Sequence, residues 1–276
     1  MKNSGGVVAL AKYQALGNDY LVVDLSAPLE RLVGLLPQIC DRHFGVGSDG
    51  LLAFDPVAYS VRIFNPDGSE AEKSGNGLRI TACHAVLEHG APERFELRTP
   101  GGPNFVRVLA RQGAEVRSEI DIGRASFREP GRTRIETAAG AVEAVLVSVG
   151  NPHCVVFGEP VSRERCLELG PLLETHRLFP DRTNVQLVEV LGRDRARIEI
   201  WERGAGYTLA SGTSASAVAA ALMREGLADA AVTIVMPGGE PAVRQAEGGS
   251  LVQSGPARRV YRARVDLDDF IAPDSS

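Results

Sequence analysis

The chain has 276 residues, 44% of them hydrophobic, and a formal net charge of −5 at pH 7. This is about twice the length of an ordinary domain of ~100–150 residues, so two lobes are expected. The negative charge does not supply the field that binding to nucleic-acid phosphates requires, and no apolar stretch approaches the ~20 residues of a membrane span. We therefore expect neither nucleic acid nor membrane as a partner. The first ten residues lack a signal-peptide pattern, which predicts a cytoplasmic protein.

Cysteine and histidine spacing favours neither a disulfide framework nor a metal site. The four cysteines lie far apart without CxxC spacing, at positions Cys40, Cys83, Cys154 and Cys166. The five histidines form no HExxH or similar pair. Disulfide-rich and metal-binding proteins have recognisable spacings of cysteine and histidine, and this chain has none of them. We therefore expect reduced thiols and no metal.

The first half of the chain contains two helical patterns with a strand between them. Residues 29–43 have helical apolar spacing, and alternating residues later predict a strand that ends at Asn65. A loop containing glycine follows this strand. Ser74 is then a natural helix N-cap, and the apolar run behind it predicts a helix over residues 75–88 that ends at Gly90.

The second half has the same order. Ser211 is again a natural N-cap, and an alanine-rich run predicts a buried helix over residues 212–224 that ends before Gly226. Segment 124–134, with Arg-Glu-Pro-Gly-Arg, interrupts two strand patterns and is predicted to be the boundary between the halves. Further β-runs are predicted at 105–109, 116–122, 142–149, 183–190, 195–201, 232–236 and 259–265.

These parallels amount to an internal repeat. The segment GNDYLVV, which begins at Gly17, matches GNPHCVV, which begins at Gly150. Residues 62–76 align without gaps with residues 199–213, so each half has a strand, a loop and a helix that begins after a serine. A repeat of this size indicates that one supersecondary unit has been duplicated.

The fold class predicted from the repeat is α/β in the broad sense (α+β), with two pseudo-symmetric lobes. Each lobe is expected to be a curled β-sheet or barrel around one central helix. We place the N-terminal lobe at residues 1–126, completed by a C-terminal strand at 262–276, and the C-terminal lobe at 127–261. The tail is expected to fray after Phe270.

Two helix starts in one duplication suggest a chemistry. A helix N-terminus with small residues offers unpaired N–H groups and a partial positive charge, so it binds a carboxylate or phosphate. If a pseudo-twofold axis relates the halves, both ends meet in one cleft between them, and Ser74 and Ser211 approach one small anion from opposite sides. One group then removes a proton from the carbon beside the carboxylate and the other returns a proton to the opposite face, which inverts a stereocentre.

The structural alternative is that each Ser-Gly is simply an N-cap, as most single examples are. Two in register, each following a polar residue at a strand end (Asn65 and Glu202), favour a functional role instead. The only lysines available for a pyridoxal Schiff base are Lys2, Lys12 and Lys73, so no cofactor is expected.

At these segments the chain resembles the diaminopimelate epimerase family, over nearly its whole length. The motifs that carry the resemblance are ALGND from Ala15, RHFGVGSDG from Arg42, FNPDGSEAE from Phe64, SGNG from Ser74, GNPH from Gly150, TNV from Thr183, ERGAG from Glu202 and SGT from Ser211. The resemblance implies a proline-racemase-like fold and cofactor-independent conversion of LL- to meso-diaminopimelate, a step of lysine and peptidoglycan biosynthesis. It also implies a small amino-acid substrate and suggests a homodimer.

The resemblance also assigns roles to particular residues. The backbone at Gly75, Asn76, Gly212 and Thr213 would hold the carboxylate at the reacting carbon. His153 and Glu202 would tune the catalytic acid and base, and Glu202 would also contact substrate. The distal amino-acid end of the substrate would be bound by Asn18, Asn65, Asn151, Asn184 and Arg203, which suits a zwitterion because amides and a guanidinium fork recognise both charges.

The chain departs from the family pattern at its two bases. The family uses a pair of cysteines, and this chain has Ser74 and Ser211 at those positions. A thiol pKa of about 8.5 is easily lowered at a helix start, whereas a serine hydroxyl needs an adjacent general base. Three explanations are open: deliberate replacement of both cysteines, activated serines serving an altered reaction, or binding without turnover. The alternative functions are a silent or divergent amino-acid-binding protein and a dehydratase or other isomerase on the same scaffold.

Overall fold

The computed structural model describes residues 6–270, except for the side chain of Pro130. The chain divides into two compact units, one comprising Met1–Glu119 with Pro256–Ser276 and the other Ile120–Gly255. The lobe boundaries predicted from the sequence, at 126/127 and 261/262, stay a prediction.

The first unit combines strands with one long helix and two short ones. Its strands are β1 (Val7–Ala15), β2 (Asn18–Asp24), β3 (Leu51–Asp55), β4 (Ser60–Phe64), β5 (Glu70–Ala71), β6 (Arg94–Thr99) and β7 (Gly102–Gln112). Its helices are α1 (Leu29–Gly34), α2 (Leu36–Ile39) and α3 (Gly75–His89). The predicted helix at 29–43 is therefore two short helices.

The second unit has a similar inventory. Its strands are β9 (Ser126–Thr137), β10 (Gly140–Ser148), β11 (Pro152–Phe157), β12 (Asn184–Gly192), β13 (Arg195–Glu202), β14 (Gly206–Thr208), β15 (Ala231–Val235) and β16 (Ala242–Gln245). Its helices are α4 (Arg163–Glu174) and α5 (Gly212–Arg224). The divisions between the units fall inside β8 (Glu115–Arg124) and β17 (Ser250–Asp266).

Strand pairing is the same in both units. In the first, β1 and β2 are antiparallel, β2 and β3 parallel, β3 and β4 antiparallel, and β4 pairs antiparallel with β5 and parallel with β6. In the second, β10 to β15 repeat this order pair by pair. Parallel neighbours need a crossover connection, which α1 and α2 supply in one unit and α4 in the other. The duplication read from the sequence therefore extends to topology.

Each unit encloses one long helix. In α3 every residue from Gly75 to Val86 is buried, and the helix packs against β1, β2 and β3. In α5 every residue from Gly212 to Leu222 is buried, against β10, β11, β12, β15 and β16. The predicted class, α+β with a curled sheet around a central helix in each lobe, is confirmed. Within residues 6–270 none of the helices, these two included, is long and apolar enough to cross a membrane.

The interruption predicted at 124–134 is confined to Ala125, between β8 and β9, and the prediction that Arg-Glu-Pro-Gly-Arg breaks a strand is wrong. Strand β9 runs through this segment and pairs with β10, first from Gly140 and then again at Ser148. The register shifts between Val145, opposite Arg132, and Val147, opposite Phe127, so β9 carries the extra residues in a bulge. A bulge lets a strand keep its pairing on both sides of an irregular stretch, which a turn signal in the sequence does not reveal.

The last described strand returns to the first one. Within β17, the predicted run 259–265 pairs antiparallel with β1, in a register from Val7 opposite Asp266 to Gln14 opposite Arg258. The predicted fraying beyond Phe270 lies outside the described residues.

The four cysteines are buried and unbonded. Desolvation raises the pKa of the Cys83 and Cys154 thiols to about 12. The Cys83 and Cys154 thiols are therefore protonated, unreactive groups of the core. All four cysteines are free thiols, as expected from the sequence.

Candidate active site

Ser74 and Ser211 cap helices α3 and α5 with nearly the same backbone geometry. Ser74 has φ −143° and ψ 119°, and Ser211 has φ −143° and ψ 125°. The Ser74 Oγ accepts a hydrogen bond from the Gly77 N–H at 3.0 Å, and the Ser211 Oγ accepts one from the Ser214 N–H at 3.4 Å. The predicted N-caps are confirmed.

The first turns of α3 and α5 differ in charge from that of α4. Helix α4 also begins after a serine, Ser162, and carries Glu164 in its first turn, where a carboxylate offsets the positive end of the helix. The first turns of α3 and α5 contain no acidic residue and consist of small, buried residues at the positions predicted to hold a carboxylate: Gly75, Asn76, Gly212 and Thr213. These two helix starts therefore favour an external anion.

In the first unit, Asn18 and Asn76 are brought together. The Asn76 Nδ2 donates to the Asn18 Oδ1 at 3.3 Å, and the Asn18 Nδ2 donates to the Asp49 Oδ2 at 2.8 Å. Asn65 belongs to a separate exposed turn, in which its Nδ2 donates to the Ser69 Oγ at 2.9 Å. A fixed amide orientation is what a binding site for a polar ligand requires.

A charged network supports Asn18. Arg42 donates to both Asp19 and Asp49, and Lys12 pairs with Asp19 at 2.6 Å. Burial raises the pKa of Asp19, but hydrogen bonds from Arg42 and Lys12 outweigh that effect and hold the pKa below its usual value. The Asp19 carboxylate is thus an ionised acceptor, and Asp49 orients the Asn18 amide by accepting its hydrogen bond. Lys12 is committed to this network.

Arg79 lies buried in the first turns of α3. It is 0% exposed and donates to the Asn76 Oδ1. Desolvation lowers the pKa of its guanidinium to about 10, so the group remains charged at neutral pH. A buried cation beside the start of α3 adds to the attraction that the helix end exerts on an anion.

In the second unit, His153 is held from both ring nitrogens. The Gln186 Nε2 donates to the His153 Nδ1 at 3.1 Å and to the Ser214 Oγ at 2.9 Å, and the His153 Nε2 contacts the Asn151 Oδ1 at 2.9 Å. Because Nδ1 accepts, the proton is on Nε2, which donates to Asn151. Desolvation lowers the pKa of His153 to about 3, so the ring is neutral and keeps one tautomer.

Asn184 and Arg203 also meet in this unit. The Asn184 Oδ1 accepts from the Arg203 N–H at 3.0 Å, and its Nδ2 donates to the Pro152 carbonyl at 2.9 Å. The Arg203 guanidinium donates to the Asp181 carbonyl at 3.2 Å. Two predicted site segments, around residues 151–153 and 202–203, are therefore joined through one asparagine.

Glu174, at the end of α4, holds the turn that carries Glu202 and Arg203. It accepts hydrogen bonds from the Trp201 Nε1 at 2.7 Å and from the Gly204 N–H at 2.9 Å. Both neighbours of the Glu202–Arg203 pair are thus tied to one carboxylate, which orients the turn.

Sequence reasoning missed four residues that orient the predicted site. Asp49 has a signal, since it stands in the motif that begins at Arg42. Arg79, Glu174 and Gln186 have none, because each sits in an amphipathic or apolar run where its role depends on partners distant in the chain.

Solved structures of epimerases and racemases share this fold. A hydroxyproline epimerase from Agrobacterium vitis with bound trans-4-hydroxy-L-proline has a TM-score of 0.71 at 17% identity, over 94% of this chain and 91% of that chain. A probable proline racemase from Agrobacterium radiobacter has a TM-score of 0.71 at 18% identity, over 95% and 94%. These similarities establish the fold.

Sequence comparison assigns the chain to one family. Residues 10–128 and 145–260 match the family model described as diaminopimelate epimerase. Diaminopimelate epimerase 2 of Nostoc sp. is 42% identical over 250 residues, which span 83% of this chain and 85% of that protein. Diaminopimelate epimerase of Synechococcus elongatus is 39% identical over 279 residues, which span 93% and 98%. The chain belongs to the diaminopimelate epimerase family, and its relatives support an isomerase of the epimerase or racemase type.

Proposed function

We propose that this chain converts LL-diaminopimelate to its meso isomer without a cofactor, a reaction that supplies lysine and peptidoglycan biosynthesis. Ser74 and Ser211 are the two groups through which the α-proton leaves and returns. The α-carboxylate is bound by the backbone at Gly75–Asn76 and Gly212–Thr213.

The observation that carries the proposal is the matched pair of helix starts. Both begin after a serine with the same extended backbone, both have small first-turn residues, and both lack the acidic residue found at the start of α4. An α-carboxylate bound at such an end gains backbone hydrogen bonds, and the nearby positive charge lowers the cost of the carbanion formed when the α-proton leaves.

The distal end of the substrate has an ammonium and a carboxylate. The Asn18, Asn65, Asn151 and Asn184 amides and the Arg203 guanidinium are proposed to bind it. His153 stays neutral and presents Asn151 in one orientation, while Glu202 is proposed to adjust the basicity of the proton-transferring groups. These assignments rest on the hydrogen bonds described above and on the resemblance to the family.

The test is exchange of the α-proton of LL-diaminopimelate in D₂O, followed by NMR. Four proteins are compared: the unchanged chain, Ser74→Cys, Ser211→Cys and the double variant. A thiolate at a helix start is a far better base than a serine hydroxyl, so the double variant should exchange at least about 100-fold faster than the unchanged chain and form the meso isomer. Each single variant should incorporate deuterium at the α-carbon of one stereoisomer, because only one face of that carbon meets a thiol. Its rate of inversion should stay below that of the double variant.

The matched control is Ser162→Cys. Ser162 is also an N-cap, whose Oγ accepts from the Arg165 N–H at 3.2 Å, but it lies outside the proposed site. This variant should not accelerate exchange. If the unchanged chain binds the ligand in calorimetry but does not exchange its α-proton, the proposal that this chain turns over diaminopimelate fails, whether or not the double variant exchanges.

A second candidate function is amino-acid binding without turnover. Binding without turnover is favoured by the hydrogen bonds of the two serine hydroxyls. Among the described residues, these bonds are made to the first turn of each serine's own helix. A serine used as a cap, without a paired general base, is a weak proton acceptor. Binding by the unchanged chain with no exchange of the α-proton supports this function, whereas release of a keto acid from a hydroxy amino acid would support a dehydratase on the same scaffold.

A further inference from the structure

A cluster of three potential metal ligands lies in the first unit, apart from the residues assigned to the epimerase site. It comprises Asp24, the last residue of β2, with His84 and His89 from the end of α3. The His84 Nε2 lies 3.2 Å from the Asp24 Oδ1, and the His89 Nε2 lies 3.1 Å from the same oxygen. The three ligand atoms lie within 4.8 Å of one another.

We propose that Asp24, His84 and His89 form a binding site for one divalent transition-metal ion of the zinc class. Two imidazoles and one carboxylate are a donor set that such ions bind with further positions left open. In a tetrahedral zinc site with bonds of about 2.0–2.1 Å, neighbouring ligand atoms are about 3.3 Å apart. The two measured edges of 3.1 and 3.2 Å are already close to this spacing.

The surroundings hold both rings in place. The fully buried Phe54 ring packs against His84 and His89, with centroids 5.8 and 5.6 Å away. The two imidazoles are themselves 5.3 Å apart. Rings held by packing lose little freedom when a metal binds, which favours affinity.

A second layer of hydrogen bonds supports the ligand role of His84. Its Nδ1 lies 3.0 Å from the Tyr13 hydroxyl, which in turn lies 3.5 Å from the Glu88 Oε1. With a metal on Nε2, the proton of His84 is on Nδ1 and donates to Tyr13, whose own proton points to Glu88. Metal-binding histidines almost always have such a partner for the second nitrogen.

Charge and access also favour a cation here. The cluster lies at the C-terminal end of α3, where the helix is partially negative. Of the β17 arginines near the cluster, Arg259 and Arg262 are engaged by Glu88. Arg264 also lines the cavity beside the cluster. A cavity of about 400 Å³ is lined by Asp24, His84 and Glu88, and it gives an ion and its water ligands a route to the cluster. The Asp24 side chain is 39% exposed and that of His89 is 23% exposed.

The expectation of no metal rested on the spacing of histidines and cysteines in the sequence. A metal site formed by Asp24, His84 and His89 would contradict that expectation. His84 and His89 do not have the i, i+4 spacing of a familiar zinc motif, and Asp24 comes from a distant strand. Only the packing of β2 against α3 brings the three side chains together.

The experiment is calorimetric titration of the untagged, EDTA-treated full chain with ZnCl₂, and a parallel titration with CoCl₂ followed by visible absorption. The proposal expects one ion per chain and the d–d bands of low-symmetry Co²⁺ with nitrogen and oxygen ligands. His89→Gln and Asp24→Asn should each abolish the stoichiometric site, and Tyr13→Phe should weaken it about 10- to 100-fold.

The matched control is His43→Gln, because His43 is an exposed histidine of the same unit outside the cluster. It should bind zinc as the unchanged chain does. Thermal unfolding in EDTA verifies that each variant is folded, and substitution at the partly exposed Asp24 and His89 is better tolerated than at the buried His84. Failure of the unchanged chain to bind either ion, or binding that survives both His89→Gln and Asp24→Asn, overturns the proposal.

Discussion

His153 is a buried histidine whose two ring nitrogens are both occupied by amide groups. Its pKa of about 3 in the folded chain lies well below the value of about 6.5 in an unfolded chain. Between these values the unfolded chain binds a proton that the folded chain does not. The free energy of unfolding should therefore fall as the pH drops below 6.5, by up to about 1.4 kcal/mol per pH unit from this residue alone.

The measurement is urea denaturation at several pH values between 7 and 5, on the unchanged chain and on His153→Gln. The window stays above the range in which carboxylates take up protons, and contributions of the other histidines cancel in the comparison. The variant should be less stable at pH 7 and show a shallower pH dependence. Parallel pH profiles for the two proteins would mean that His153 is not desolvated as described.

At the same scale, the sequence predicted the site residues that have a local pattern but not the residues that orient them. Ser74 and Ser211 were predictable because an N-cap is defined by the few residues that follow it. Gln186 is a polar residue in the apolar strand β12, and its role follows from His153 and Ser214, which other elements supply. The roles assigned to the site residues as a set stay predictions.

At the scale of elements, the contact between α4 and β13 positions part of the candidate site. Gly170 of α4 lies against Trp201 of β13, and a Cβ at Gly170 would be only 2.5 Å from the Trp201 Cγ. The same tryptophan donates its indole N–H to Glu174. This close approach of helix and strand therefore sets the position of the turn that follows Trp201.

Gly170→Ala should lower the free energy of unfolding by about 1–3 kcal/mol, because the added methyl group forces the indole or the helix to move. The comparison is Gly34→Ala at the end of α1, where a Cβ would meet nothing within 4 Å. That change should be neutral or stabilise by up to about 1 kcal/mol. Urea denaturation measures both, and equal effects at the two glycines would contradict the packing argument.

Element prediction succeeded where one local pattern decides the structure. The helices α3 and α5 were found nearly to the residue, since each has a serine cap, a continuous apolar run and a glycine near its end. Strand β9 was misread because Arg-Glu-Pro-Gly-Arg resembles a turn locally. Pairing with β10 on both sides of a bulge outweighs that local preference.

At the scale of the whole molecule, the two ends of the described chain belong to one compact unit. Leu267 is 0% exposed and packs in a core with Val8 and Leu10 of β1 and Leu36 of α2. Its N–H donates to the Gly6 carbonyl at 2.8 Å. The fold of the first unit thus depends on residues that follow the whole of the second unit in the sequence.

Leu267→Ala should destabilise the first unit by about 2–5 kcal/mol, because it removes fully buried methyl groups in the short 3-10 helix (Leu267–Asp269) that follows β17. Hydrogen exchange followed by mass spectrometry should then show faster exchange in the peptide that contains β1. Leu191→Ala, at a leucine that is 49% exposed, should change stability by no more than about 0.5 kcal/mol. Unchanged protection of β1 in the Leu267 variant would refute this dependence.

The sequence alone determined the duplication, the two capped central helices, the α+β class and the family, because each is encoded in patterns of neighbouring residues or in motifs matched along the chain. Homodimer formation and a cytoplasmic location stay predictions. Tertiary structure alone decided the orienting contacts of Glu174 and Gln186, the continuity of β9 and the meeting of Asp24 with His84 and His89. The physical reason is that these features depend on side chains distant in sequence, whose approach follows from the packing of strands against helices and leaves no periodic trace in the chain.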